Sequence, residues 1–119
     1  MKIKSIGIPS KYGNRKTEID GITFASRKEA NRYNELKLLQ KAGDIEQLEL
    51  QPRYTLQEAF KDKKGILHRK IEYVADFSYG DKTILQWVVE DCKGMQTEVY
   101  KLKKKLFLYK YRDFEFLES

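Results

Sequence analysis

Two stretches hold the residue types that could carry chemistry: Tyr73-Val74-Ala75-Asp76-Phe77 and Val88-Val89-Glu90-Asp91-Cys92-Lys93-Gly94. Both read as extended apolar chain interrupted by acids. Side chains alternate along a strand, so Asp91 and Lys93 share one face while Glu90 and Cys92 take the other. A carboxylate within an apolar strand is costly unless it is paired, hydrogen-bonded or bound to a metal. Two such groups, Asp76 and Asp91, facing the same way on adjacent strands would offer hard oxygen ligands to Mg²⁺ or Mn²⁺, with water and substrate phosphate oxygens completing the shell. A plain ion pair from Lys93 to Asp91 or Asp76 is the bland alternative, and an ion pair buried for stability alone offsets its desolvation poorly.

The elements that must position these residues come from a chain of 119 residues, 40% hydrophobic, with eight Tyr, six Phe and one Trp. That is enough to build one core, so a single domain over 1–119 is expected. A net charge of +6 favours an acidic partner, of which nucleic acid is the commonest for a small basic protein. One cysteine and one histidine, Cys92 and His68, exclude an internal disulfide and argue against a structural zinc site. No apolar run approaches the roughly 20 residues of a membrane span, and Met1-Lys2-Ile3-Lys4 lacks a signal-peptide core. A cytoplasmic protein without membrane partners is expected.

Residues 1–16 carry Lys2, Lys4, Lys11, Arg15 and Lys16 without an acid and read as a basic arm. Thr17 to Phe24 reads as a hairpin turning at Asp20-Gly21. Ser26-Arg27-Lys28-Glu29 is a capping box that opens a helix to about Ala42, with Gly43 as its stop. On the helical wheel Glu29 falls between Tyr33 and Leu36, facing the core or its edge, although capping alone explains a glutamate there; Glu35 lies on a different side. Ile45 to Leu56 reads as a strand bent at Pro52, Lys61 to Gly65 as a polar hairpin tip, and Leu67 to Tyr79 as a second strand with Tyr73, Ala75 and Phe77 on one face. A third strand ends near Lys93-Gly94. Thr97 or Gln96 caps a last helix to about Tyr111, whose expected buried stripe is Val99, Leu102, Leu106 and Tyr109, with Lys101, Lys104 and Lys105 projecting oppositely. Six bases and no acid occur between positions 101 and 112, a single-sign run that favours phosphate contact. A short strand over 113–117 closes the chain. The order hairpin, helix, three strands, helix, strand predicts an α/β or α+β fold around a mixed sheet.

Strand register decides whether the two acids can meet. Gly80-Asp81 invites a tight two-residue turn, which would pair Asp76 with Leu85 and separate the carboxylates by roughly 20 Å at about 3.3 Å per residue. A site at Asp76 and Asp91 requires a longer loop or bulge around residues 81–86.

Asp76, fourteen residues, then Asp91-Cys92-Lys93 resembles the Asp…(Asp/Glu)-X-Lys signature of the PD-(D/E)XK nuclease superfamily. The helix, three strands, helix, strand order over 26–117 resembles its restriction-endonuclease-like core. Ala75 stands where that family has a proline. The chain looks most like small phage-encoded members similar in plan to Holliday-junction-resolving endonucleases. The resemblance implies a metal-dependent endonuclease hydrolysing DNA phosphodiester bonds, with Asp76, Asp91, the Cys92 carbonyl and Glu29 holding Mg²⁺ or Mn²⁺. Glu29 matches a first-helix glutamate that often joins the family's metal site. Lys93 would orient or deprotonate water or stabilise the transition state. Lys101, Lys104 and Lys105, with Lys11, Arg15 and Lys16 of the arm, would grip the backbone, making binding salt-sensitive. No element announces base readout, so branched or junction DNA in phage or mobile-element DNA metabolism, in a host cytoplasm, is the expected substrate. Junction-resolving relatives generally act as dimers, which implies pairing of two copies. Two other classes compete: a nuclease-like module that binds DNA or RNA in a replication, recombination or packaging complex without turnover, and a small protein-interaction or inhibitor protein, which leaves the lysine run unexplained.

Overall fold

The structure, a computed structural model, describes residues 16–92 and 95–119. Lys11 and Arg15 of the expected arm, and Lys93, lie outside the described residues. The described chain is an α+β protein with a mixed sheet and two helices, and it divides into two compact units, Met1–Leu38 and Leu39–Ser119.

In the first unit, strands β1 (Thr17–Ile19) and β2 (Ile22–Phe24) form the expected hairpin. Asp20 and Gly21 both take positive φ, 55° and 77°, which is what a two-residue primed turn demands. The Asp20 carboxylate then accepts from Tyr33 Oη (3.1 Å) and Lys37 Nζ (3.0 Å), tying the turn to helix α1 (Arg27–Ala42). Ser26 Oγ accepts from the Glu29 amide at 3.1 Å, the capping bond read from the sequence. Gly43, at φ 88°, ends the helix in the left-handed conformation that suits glycine.

The second unit is built from one long bent hairpin and one crossover. Strands β3 (Ile45–Leu50), β4 (Arg53–Gln57) and β5 (Phe60–Lys61) run out, and β6 (Leu67–His68), β7 (Ile71–Val74) and β8 (Phe77–Asp81) run back. Leu50 pairs with Phe77 and Arg53 with Val74, so the register is the same on both sides of the break between β3 and β4. The ladder continues through that break, with Gln51 N donating to Asp76 O (2.9 Å) and Ala75 N to Pro52 O (3.1 Å). Gln51 at φ 50° and the buried Pro52 make the corner. The single strand expected over 67–79 is therefore three strands: its backbone turns at Ala75-Asp76 to pass from the β4–β7 pair to the main sheet. At the far tip Asp62 Oδ1 accepts from the amides of Lys64 (2.8 Å) and Ile66 (3.1 Å), with Gly65 at φ 81°.

Strand β9 (Gln86–Asp91) pairs antiparallel with β8, and helix α2 (Glu98–Lys110) carries the chain over to β10 (Glu115–Glu118), which lies parallel to β9. The sheet order is β10-β9-β8-β3. Thr97 caps α2, its hydroxyl accepting from Tyr100 N at 3.0 Å.

Helix α2 buries a different face from the one expected. Tyr100 and Phe107 are buried, whereas Val99, Leu102, Leu106 and Tyr109 are exposed. Two stripes of nearly helical period coexist on this helix, and the aromatic one wins because a matching set of rings awaits it. Phe107 lies 4.9 Å from Tyr54, 5.1 Å from Tyr73, 5.2 Å from Tyr111 and 5.9 Å from Phe116 between ring centroids. Large aromatic surfaces dominate core energetics. Lys104, expected to project outward, instead sits on the inner side, with Nζ 2.9 Å from Glu118 Oε1 and 5.6 Å from the Phe116 ring.

Candidate active site

The β8–β9 hairpin sets the site. Asp81 pairs with Gln86, leaving the four-residue loop Lys82–Leu85 in place of a turn at Gly80-Asp81. Asp81 organises that loop: its Oδ1 accepts from Thr83 N (2.9 Å) and Thr83 Oγ1 (2.6 Å), the local bonding by which aspartate favours turns. Leu85 closes it at φ 55°. Gly80 is a strand residue: a Cβ there would stand 3.2 Å from Glu46 Cγ and 3.5 Å from the Trp87 ring, so glycine serves close packing and not chain reversal.

Phe77 consequently pairs with Glu90 as the last pair of the ladder, and Asp76 and Asp91 are the next residues outward on the two chains. Asp76 N donates to Glu90 O at 3.2 Å. Cys92 N donates to Asp76 Oδ2 at 2.6 Å, so the aspartate side chain continues the ladder where the backbone turns away. Asp91 is fully buried. Its Oδ2 accepts from Tyr73 Oη, and Tyr73 belongs to the aromatic cluster with Ala75, Val89, Tyr100 and Phe107. Burial, followed by the bond to Asp91, holds the Tyr73 hydroxyl far above the ordinary phenol range, fixing it as a donor. Beside it, Tyr100 donates to Glu118 and is likewise raised, first by burial and then by that bond. Glu118 is lowered, chiefly by Tyr100 and then by Lys104.

Of the residues singled out from the sequence, Asp76 and Asp91 are brought together, with the Cys92 backbone between them. Glu29 belongs to the first unit and is buried on α1, as its wheel position required. Lys93 lies outside the described residues, as do Lys11 and Arg15. Lys16, Lys101 and Lys105 are exposed, Lys101 standing 3.7 Å from Glu98. Among the described residues no group of three or more His, Cys, Asp or Glu side chains is gathered as a metal centre. Two buried polar partnerships escaped the sequence reading. Tyr73 was legible only as a core aromatic, and its role depends on β7 and β9 being brought together. Glu90 is buried and accepts from Tyr79 Oη at 2.8 Å; its pairing with Phe77 puts it on the face shared with Tyr79, two residues along β8.

The fold and site define a class: an α+β protein whose mixed four-stranded sheet presents two neighbouring aspartates where its central strands begin and end. The chain belongs to the DUF1064 family, described as proteins of unknown function, whose pattern matches residues 9–117. No curated protein and no solved structure matches it.

Proposed function

We propose that this protein is a metal-dependent DNA endonuclease of the PD-(D/E)XK kind, selective for branched or junction DNA. The observation that supports the reading is the β8–β9 register, which ends at Phe77 and Glu90, together with the bond from Cys92 N to Asp76 Oδ2 next to the buried Asp91. Asp91 is withdrawn from water and Asp76 partly so, and a cation held by both would offset the cost of keeping their charge there. Their hard oxygens suit Mg²⁺ or Mn²⁺, and the family resemblance adds the Cys92 carbonyl and Glu29 as further ligands. Bound there, the ion supplies Lewis-acid polarisation of a phosphoryl oxygen. Tyr73 and the Cys92 amide fix the two carboxylates before substrate arrives, which is the kind of preorganisation catalysis rewards. Lys93 would orient or deprotonate the attacking water, and Lys101, Lys105 and Lys16 would hold backbone phosphates without reading bases.

The second reading, a DNA- or RNA-binding module without turnover, is favoured by the lack of a third clustered ligand among the described residues. The two separate on incubation with duplex, single-stranded, flap and four-way-junction DNA in Mg²⁺, Mn²⁺ or EDTA. The nuclease cleaves in either metal, prefers branched substrates and is silent in EDTA. Cleavage that persists in EDTA refutes the site, and salt-sensitive binding without cleavage in either metal establishes the module.

A further inference from the structure

The hairpin of β5 and β6 has no core beneath either face. It is a two-stranded sheet of its own, and every residue from 57 to 71 except Asp62 is exposed. A lone two-stranded hairpin is marginal in water, yet side chains and turn bonds organise this one. Asp62 N donates to Ile66 O (3.0 Å), Gly65 N donates to Asp62 O (2.9 Å), and the Asp62 carboxylate lies 2.8 Å from His68 Nε2. The His68 ring in turn stacks on Phe60, with 4.9 Å between centroids. These contacts hold a defined shape that adds nothing to the chain's own core.

Charge indicates the chemistry of what covers it. Five Lys or Arg and two acids stand between positions 58 and 70. Asp62 is taken up by its own turn and by His68, and Lys70 pairs with Glu72 at 3.2 Å. Lys61, Lys63, Lys64 and Arg69 form no ion pair among the described residues. The two faces also differ. The register sets Phe60 opposite His68 and Lys61 opposite Leu67. By alternation Asp62 belongs with Phe60 and His68, so the face of Lys61 and Leu67 carries no acid within the β5 and β6 ladder.

We infer that this hairpin is a finger that enters the major groove of duplex DNA, with the face of Lys61 and Leu67 turned to the bases. A B-form major groove, about 12 Å wide, admits a two-stranded ribbon. Leu67, 59% exposed, offers the apolar contact that a thymine methyl accepts, while Lys63 and Lys64 at the tip and Arg69 beyond β6 meet flanking phosphates. The deep, narrow major groove of A-form RNA excludes such a ribbon, so the finger is committed to DNA. Strand β7 leads from the finger to Ala75-Asp76. That path covers at most roughly 26 Å from His68 at about 3.3 Å per residue, less than one duplex turn of about 34 Å. The finger rests on DNA as the partner, which both readings above allow, and not on turnover.

Fluorescence anisotropy of a labelled duplex of about 20 base pairs, titrated with the full chain in EDTA, tests the finger in the absence of cleavage. The wild type binds, more weakly as salt rises. Lys63→Gln with Lys64→Gln lowers affinity about ten-fold or more and reduces the salt slope by about two, roughly one per lost phosphate contact. Leu67→Ser lowers affinity about five-fold or more at an unchanged slope, because it removes apolar contact and no charge. Lys41→Gln with Lys82→Gln removes the same charge elsewhere on the surface and stays within about two-fold of wild type, salt screening the distant charges. Far-UV circular dichroism and thermal melts match the wild type throughout, since all five side chains are exposed. On duplex RNA Leu67→Ser is without effect. A wild type that leaves duplex DNA unbound overturns the finger together with DNA as the partner. A wild type that binds, with the Lys63 and Lys64 variant no weaker than the Lys41 and Lys82 control, overturns the finger alone. Binding indifferent to Leu67→Ser, or equally weakened by it on duplex RNA, overturns entry into the groove.

Discussion

Asp91→Asn lowers metal-dependent cleavage about a thousand-fold, on the proposed reading, because an ion's stabilisation of the transition state amounts to several kcal/mol and each 1.36 kcal/mol is about tenfold in rate. Asparagine is the informative replacement. It keeps an oxygen to accept from Tyr73 Oη and keeps the side-chain volume, removing only the charge from a fully buried position. The fold survives: the urea midpoint moves by less than about 1 kcal/mol equivalent, the scale of one hydrogen bond. Were Asp91 a structural ion-pair partner, the same change would unfold the protein by about 3–5 kcal/mol, the cost of breaking a buried pair. Cleavage rate and urea titration, measured on the same preparation, separate the two roles.

Phe107→Ala gives the largest loss of stability, about 3–5 kcal/mol by urea unfolding, the range for truncating a buried Phe. Its ring is fully buried and touches rings from four elements or their flanks: Tyr54 on β4, Tyr73 on β7, Tyr111 after α2 and Phe116 on β10. None of these can swing into the space without abandoning its own partners. Tyr111 Oη, for example, donates to Thr55 O at 3.0 Å. Because Tyr73 also holds Asp91, the vacancy is expected to reduce cleavage as well, measured below the unfolding transition. Leu106→Ala on the same helix, already 41% exposed, changes monomer stability by less than 1 kcal/mol on the same scale.

What the sequence disclosed was chemistry confined to a few neighbouring residues. Asp20-Gly21, the Ser26 to Glu29 capping box, Gly43 and Thr97 act through bonds or dihedrals within one turn of chain, and each sits where its type demands. The inward face of Glu29 followed from helical period. What failed was whatever depends on distant chain. Gly80-Asp81 has turn composition, yet Gly80 is small because Glu46 and Trp87 approach it, and Asp81 works through its side chain. The period-2 pattern of Leu67 to Tyr79 runs on through a corner that Gln51 and Pro52 impose from the opposite strand. On α2, periodicity admitted two buried faces, and the choice lay with rings on β4, β7 and β10. Tyr73 could be read as core, but not as the donor to Asp91, since that bond joins β7 to β9.

The pairing of Asp76 with Asp91 as a metal site is tested most directly by calorimetric titration of the metal-free protein with Mn²⁺, in wild type, Asp76→Asn and Asp91→Asn. Wild type binds the ion with a heat that either substitution abolishes, because the two carboxylates act together and neither alone supplies enough hard oxygen ligands. Undiminished Mn²⁺ binding by both variants would contradict the account.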